Sequence, residues 1–309
     1  MAFNVGSLAN YTNEQSTDLL VKALFGSKTS STLQTANQVQ VGVKSASALN
    51  ILSSTVFFQA DGCGYNPSGT TAFTQRNITV GAVKVEETLC PITLEAKWMQ
   101  TQIMPGSPTM IPFEEQVGAE KAAVIAQTLE TAMWQGDTAS GNPNLSRFDG
   151  FNKIIAAASP VLANGATTTF TTVTVANIDD ILDQVYANIP AAVATKTDLV
   201  CFLGVDAYKL MLVNLKNANL FHYVADAATE MEMVYPGSNM KLIAVGGLNG
   251  TNKIVAGSLS NFFMGTDLLD EAEEVKMWYS IDNHEVRVRF NFKAGVQVAF
   301  PGEIVFFTL

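Results

Sequence analysis

Histidine is nearly missing from this chain: His222 and His284 are the only two in 309 residues. A Ser-His-Asp or Cys-His catalytic arrangement would have to use one of them, and no G-x-S-x-G elbow accompanies either. Cysteine is scarce as well. Cys63, Cys90 and Cys201 are odd in number and show no C-x-x-C spacing, so neither a disulfide framework nor a zinc site is indicated. That usage suits a reducing, intracellular setting. No apolar run approaches the ~18 residues of a membrane span, and "MAFNVGSLANYTNEQ" lacks the basic and apolar regions of a signal peptide. Positive charge is short too. With 18 basic against 28 acidic residues the formal charge is −10, which argues against affinity earned by neutralising phosphates.

What is present is apolar and strongly patterned. At 48% hydrophobic and 15% charged, the chain buries a sizeable core. Residues 1–48 are rich in Ser, Thr, Asn and Gln, interrupted by "STDLLVKALF", which sets Leu19, Leu20, Ala23 and Leu24 on one helical face with Ser16 or Thr17 as cap. Such an arm builds no core alone and either moves freely in water or lies on another surface. Residues 51–99 read as one long two-stranded excursion around the Gly/Pro/Asn-rich tip "ADGCGYNPSGTTA", with Gly81 as a bulge. "PFEEQVGAEKAAVIAQTLETAMWQG" predicts a helix of roughly 35 Å that starts at Pro112 and stops at Gly136. Gly118, Ala122, Ile125, Leu129, Ala132 and Met133 form its apolar face, widened by Phe113, Val117, Val124 and Thr128.

An α/β portion follows. "NIDDILDQVYANIP" and "DAYKLMLVNLK" predict helices, the first capped by Asn177, and "LVCFLG" predicts a buried strand. "MKLIAV" and "KIVAG" read as two strands joined through "GGLNGTN" as a hairpin, and 217–240 reads as a long loop. "VKMWYSIDNHEVRVRF" is a second hairpin turning at Asp282 and Asn283. Its return strand continues as "VRVRFNFKAGVQVAF", alternating without a slip over ~50 Å, two or three times the usual strand length.

Candidate chemistry is thin. "GGLNGTNK" lacks the Gly-Lys-Ser/Thr order of a phosphate loop and sits between strands. "DLLDEAEE" gathers five acids between Asp267 and Glu274, as a solvated turn, half of a carboxylate or cation site, or an intersubunit partner for Arg287 or Arg289. Arg287, Arg289 and Lys293 make a basic row that fits a solvated face, acidic neighbours or packaged nucleic acid.

The order polar arm, extended β excursion, long helix, α/β portion and over-long strand resembles the major capsid proteins of tailed bacteriophages. The resemblance is most detailed in "FFMGTDLLDEAEEVKMWYSIDNHEVRVRFNFKAGVQVAFPGEIVFF", residues 262–307, supported by "GVDAYKLMLVNLK". It implies an α+β, Hong Kong 97-like fold. Residues 1–48 would be the N-terminal arm, 49–100 an E-loop over an adjacent subunit, and 101–160 a peripheral domain with the spine helix. Residues 161–269 would form the axial domain, and 270–309 would return to the peripheral sheet and end near the axial domain. Within the long strand, Val286–Phe292 would pair with 275–281, Val296–Phe300 would join the axial domain, and Ala294–Gly295 would be the bend.

The resemblance also implies function. Homo-oligomeric pentamers and hexamers would close an icosahedral shell around double-stranded DNA in the host bacterial cytoplasm, without sequence-specific binding, cofactor, metal or membrane. Portal and scaffolding proteins would be partners, the scaffold being a separate protein or absent. Intersubunit contacts would fall at Leu19, Leu20, Leu24, Tyr65, Phe73, Arg76, Lys84, Glu114, Glu115, Asp267, Glu273, Arg287 and Arg289. Lys84 or Lys97 remains open as one end of a Lys–Asn crosslink. Two alternatives stand beside the capsid: an encapsulin-type nanocompartment, whose N-terminal helix and cargo pocket are not recognisable here, and a soluble α+β enzyme using the carboxylates of 267–274.

Overall fold

In the computed structural model, residues 18–65, 67–90, 113–164, 170–218, 231–267 and 275–309 are described. Two sheets and a long helix organise them. The strands in chain order are β1 (Val39–Gln40), β2 (Ala46–Thr55), β3 (Thr70–Thr79), β4 (Gly81–Leu89), β5 (Val161–Leu162), β6 (Leu199–Gly204) and β7 (Glu232–Val234). Then come β8 (Lys241–Val245), β9 (Ile254–Ser258), β10 (Phe262–Thr266), β11 (Val275–Ser280), β12 (Glu285–Val298) and β13 (Val305–Phe307).

β12 is the long alternating strand, and it is continuous. One edge is shared end to end by β11, opposite residues 285–290, and β10, opposite 294–298. β4 runs antiparallel along the other edge, opposite 286–294, and β1 completes the five-stranded sheet beside β10. Val286, Val288, Phe290, Phe292, Ala294, Val296 and Val298 all face one core, as the period-2 pattern requires. The expected handover to the axial domain at Val296 does not occur. Residues 296–298 stay in this sheet because β10 pairs with them, so β10 lies outside the axial sheet in which a boundary at 269 would place it.

Nor is Gly295 a bend. A Cβ there would stand 2.1 Å from the Thr79 carbonyl oxygen, so glycine is needed where the chain between β3 and β4 crosses the strand. Gly81 acts likewise, its missing Cβ lying 2.0 Å from the Arg147 carbonyl oxygen. The β excursion is therefore shorter than its pattern suggests. β2 and β3 form the hairpin, while 81–89, its alternation shifted by one residue at Gly81 as the bulge reading requires, pairs inside the five-stranded sheet. The alternation over Ile92–Trp98 lies outside the described residues.

The long helix, Phe113–Gln135, runs under the sheet, and Ala122, Ile125, Leu129, Ala132 and Met133 are buried as expected. Val124 is not: it is 53% exposed, because it sits a third of a turn away from the face that meets β12. The second sheet has the order β5-β13-β9-β6-β8-β7. Helices Ile178–Ala187 and Val205–Asn217 cover one face, and the other face joins the core under the first sheet. β8 and β9 do not form a hairpin, since β6 lies between them, parallel to β8 and antiparallel to β9. A fully buried strand such as β6 needs a partner on both edges, and that outweighs the Asn-Gly turn signal. Asn177 holds the N-cap position, but its side chain accepts from Thr174 N and donates to the Thr172 carbonyl, ordering the preceding turn instead. Part of the 217–240 loop is the edge strand β7.

The arm is the largest departure. Residues 18–25 are helical, and Leu19, Leu20, Ala23 and Leu24 are buried in the chain's own core. Gly118 lets the Leu19 side chain approach within 3.3 Å of where a Cβ would stand. The caps at Ser16 or Thr17 lie outside the described residues. In the next helix, Lys28–Thr35, Thr29 donates from its backbone N (3.0 Å) and its hydroxyl (2.5 Å) to the buried Glu130 carboxylate and accepts from the Trp134 indole at 2.8 Å. Lys28 and Lys241 both pair with Glu232 of β7. Leu19, Leu20 and Leu24 are thus not free for a neighbour, because the spine helix offers their apolar face a closer surface.

Two tests follow from these contacts. Gly295→Ala would force apart the strand and the Thr79 carbonyl and should lower unfolding free energy by about 1–3 kcal/mol in denaturant titration. Burial alone would raise the Glu232 pKa, but hydrogen bonds and charge from Lys241 and Lys28 outweigh it and hold it below the ordinary 4.5. Its folded pKa being depressed, its contribution is present above pH about 4.5 and lost as pH falls through the folded value. Glu232→Gln should therefore flatten the acid limb of the stability curve below that pH and leave its shape near neutrality unchanged.

Candidate assembly interface

The β2–β3 hairpin is where the structure leaves its apolar surface unpaired. Its base is anchored: Leu49, Ile51 and Ile78 are buried, and Gln297 Nε2 donates to the Asn77 carbonyl at 2.7 Å. Beyond the base, among the described residues, the two strands pair with each other. Leu52 and Phe73 are cross-strand partners, and both are exposed, Phe73 at 79%. Hydroxyl and amide pairs such as Thr55–Thr70 (2.8 Å) and Gln75–Asn50 (2.9 Å) hold the register where no core does.

At the tip, Val56, Phe57, Phe58 and Tyr65 stand in solvent, Phe58 at 101% and Tyr65 at 93% of full exposure. Burying such side chains stabilises by about 1.5–3 kcal/mol each, and a two-stranded ribbon alone is marginal in water. An apolar cluster of this kind on a ribbon this thin makes it the candidate interaction surface of the described residues.

The polar face of the five-stranded sheet is charged, and its charges are paired within the chain. Arg287 Nε donates to Glu285 at 2.8 Å and Arg289 Nε to Glu86 at 3.0 Å, while Lys84 reaches Glu86 at 2.9 Å. Hydrogen bonding from Lys84 first, then the charges of Lys84 and Arg289, holds the Glu86 carboxyl below its usual range. Arg287, followed by Asn283, does the same for Glu285. Arg76 donates to Gln297 Oε1 at 3.4 Å, and partial burial lowers its pKa. Lys293 Nζ lies 2.8 Å from Asp267 Oδ2, and Asp267 is fully buried. The basic row is therefore a ladder of intrachain ion pairs, and Asp267 belongs to the sheet's own support.

Of the residues singled out for intersubunit contact, Tyr65 and Phe73 share the exposed hairpin with Leu52, Val56, Phe57 and Phe58, which the sequence reading passed over. Leu52 was legible as Phe73's opposite number once the register was known. Glu114 and Glu115 lie in the first described turn of the spine helix, but their side chains, like Glu273 and Lys97, lie outside the described residues. Among the described residues no group of three or more His, Cys, Asp or Glu is placed to hold a metal, and no helix is long and apolar enough to cross a membrane.

Arm, ribbon, spine helix under a five-stranded sheet, and a six-stranded sheet with its helices define the α+β, Hong Kong 97-like capsid fold. Solved structures agree. The satellite phage P4 procapsid that includes the size determination (Sid) protein matches over 90% of this chain and 96% of its own, with TM-score 0.58 at 13% identity. Gordonia phage Cozz matches over 90% and 85%, with TM-score 0.59 at 13% identity. A virus-like particle from Pyrococcus furiosus matches over 96% and 99%, with TM-score 0.52 at 10% identity. No family model matches the chain, and no curated protein matches it.

Replacing Lys293 with Met would leave Asp267 buried without its cation. Loss of about 3–5 kcal/mol of unfolding free energy is expected in chemical denaturation, whereas breaking the solvent-exposed pair Lys84–Glu86 should change stability far less.

Proposed function

We propose that this chain is the major capsid protein of a tailed bacteriophage, assembling into pentamers and hexamers that close an icosahedral shell around double-stranded DNA. The carrying observation is the ribbon of residues 46–79, whose apolar outer half is exposed among the described residues. Each copy gives its ribbon to one neighbour and receives one from another. That is a heterologous contact, which closes into rings, and rings joined through further faces close into a shell. Several modest interfaces per subunit then act together, so none needs to be strong alone. A net charge of −10 keeps the wall from gripping the genome it encloses. On this reading the protein resides in the virion after assembly in the bacterial cytoplasm, with portal and scaffolding proteins as partners.

A second reading, a nanocompartment shell holding a protein cargo, is favoured by the near-complete overlap with the Pyrococcus furiosus virus-like particle. The two differ in contents. Electron microscopy of the purified protein should show closed icosahedral particles or ring-shaped capsomers, and particles from infected cells should contain DNA. Protein-filled particles free of nucleic acid would favour the nanocompartment, and a monomer at every concentration would overturn both. Phe57→Ser with Phe58→Ser should abolish particles while leaving the thermal midpoint of the unassembled chain within about 2 °C, because neither ring is buried in the subunit.

A further inference from the structure

Two consecutive arm residues grip different parts of the molecule. Thr29 bonds the buried Glu130 carboxylate of the spine helix, while Lys28 pairs with Glu232 of β7, the edge strand of the six-stranded sheet. Helix Lys28–Thr35 therefore joins the spine helix to that sheet edge, with Leu33 fully buried in the core beneath it. The grip on the spine helix is made by a backbone amide, a hydroxyl and the Trp134 indole, whereas the grip on β7 runs through one carboxylate.

That carboxylate is shared. Lys28 meets one oxygen of Glu232, and Lys241 of β8 meets the other. The remaining titratable group facing it is the Tyr208 hydroxyl, from helix Val205–Asn217. Tyr208 is 2% exposed, and burial first, then the Glu232 charge, pushes its pKa up, yet its hydroxyl has no hydrogen-bond partner among the described residues. The two lysines are thus what holds the Glu232 charge in place.

β7 depends on that hold. It is three residues long, and Met233 alone of the three is buried. Met231, where the strand begins, has φ 53°, a left-handed conformation that costs energy for a side chain of this size. Against that strain stand the bonds to β8, such as Ala244 N to the Met231 carbonyl at 3.1 Å, and the Glu232 ion pairs.

We infer that Glu232 is an acid-sensitive latch holding the edge strand β7 to the arm, and that its protonation releases β7 while the arm stays on the spine helix through Thr29. Burial raises the Glu232 pKa, but Lys241 and Lys28 more than offset it, so the folded value lies below the ordinary 4.5. The latch is therefore closed at neutral pH and opens as pH falls through the folded value. A neutral carboxyl offers the lysines no charge, and the strain at Met231 then favours departure of the strand. The latch belongs to the subunit and does not depend on assembly.

Hydrogen exchange of the unassembled chain, read by mass spectrometry and corrected for the intrinsic pH dependence of amide exchange, tests it. Between neutral pH and the acid side of 4.5, peptides spanning 231–235 should lose protection by about tenfold or more, while 28–36 and the spine-helix segment 122–133 keep theirs. Glu232→Gln should show the acid behaviour of 231–235 already at neutral pH and change no further on acidification. Lys28→Met, a change in the arm, should raise exchange in the same strand at neutral pH, and Lys28→Arg should retain wild-type protection. An arm variant Lys28→Met without effect on 231–235, or a Glu232→Gln chain that keeps the wild-type pH response, would overturn the latch. Loss of protection in 122–133 at the same pH would identify global acid unfolding and overturn it equally.

Discussion

Trp134, Phe151, Phe202 and Phe262 form one closed ring of contacts, with centroids 5.1–5.5 Å apart along each neighbouring pair. All four are fully buried, and each comes from a different element: the end of the spine helix, the helix Phe151–Ala157, β6 of the six-stranded sheet and β10 of the five-stranded sheet. The tilted and edge-on angles are those aromatic quadrupoles favour, worth about 0.5–1.5 kcal/mol per pair beyond the area buried. Because both sheets and the helix contribute, the cluster fixes their relative orientation. The Thr29–Glu130–Trp134 network meets it from the arm side, so the arm is locked to the same point. A rigid subunit is what a repeating shell requires, since errors of angle accumulate around a closed surface.

On that rigid body the ribbon is the exception. Its base is held by the crossing at Gly295 and by Gln297, and its outer half, among the described residues, by cross-strand pairs. The contrast is a division of labour: residues with inward partners set the geometry, and residues without them are available to a neighbour. Charge follows the same division. Arg287, Arg289 and Lys293 are committed to Glu285, Glu86 and Asp267, while Arg147 donates to the neutral oxygens of Pro143 and Ser146.

Elements whose burial follows from period alone were legible in the sequence. The alternation of β12, the 3.6-residue face of the spine helix and the Asp282–Asn283 hairpin appear at the expected residues, because one buried face leaves only one register open. What was not legible depends on distant competition for the same edge or surface. β8 and β9 look like a hairpin until β6 takes the edge between them. The second half of β12 looks like a separate unit until β10 pairs with it, and the register shift at Gly81 reads as a bulge in one ribbon without showing that the partner strand changes there. The arm leucines announced that they needed a cover but not whose. Exposed Leu52, Phe57 and Phe58 could not be told from core residues, since an apolar strand residue reads the same whether its partner is in the chain or in the next one.

The burial of the arm sharpens the assembly argument. Had Leu19, Leu20 and Leu24 been open, each subunit would have carried two apolar donors, and a contact could form through either in variable order. With the arm helix closed onto Gly118 and the spine helix, the ribbon remains the long apolar projection among the described residues. A single directional projection on a rigid body favours one rotation between neighbouring copies, and repetition of one rotation is the condition for a ring to close.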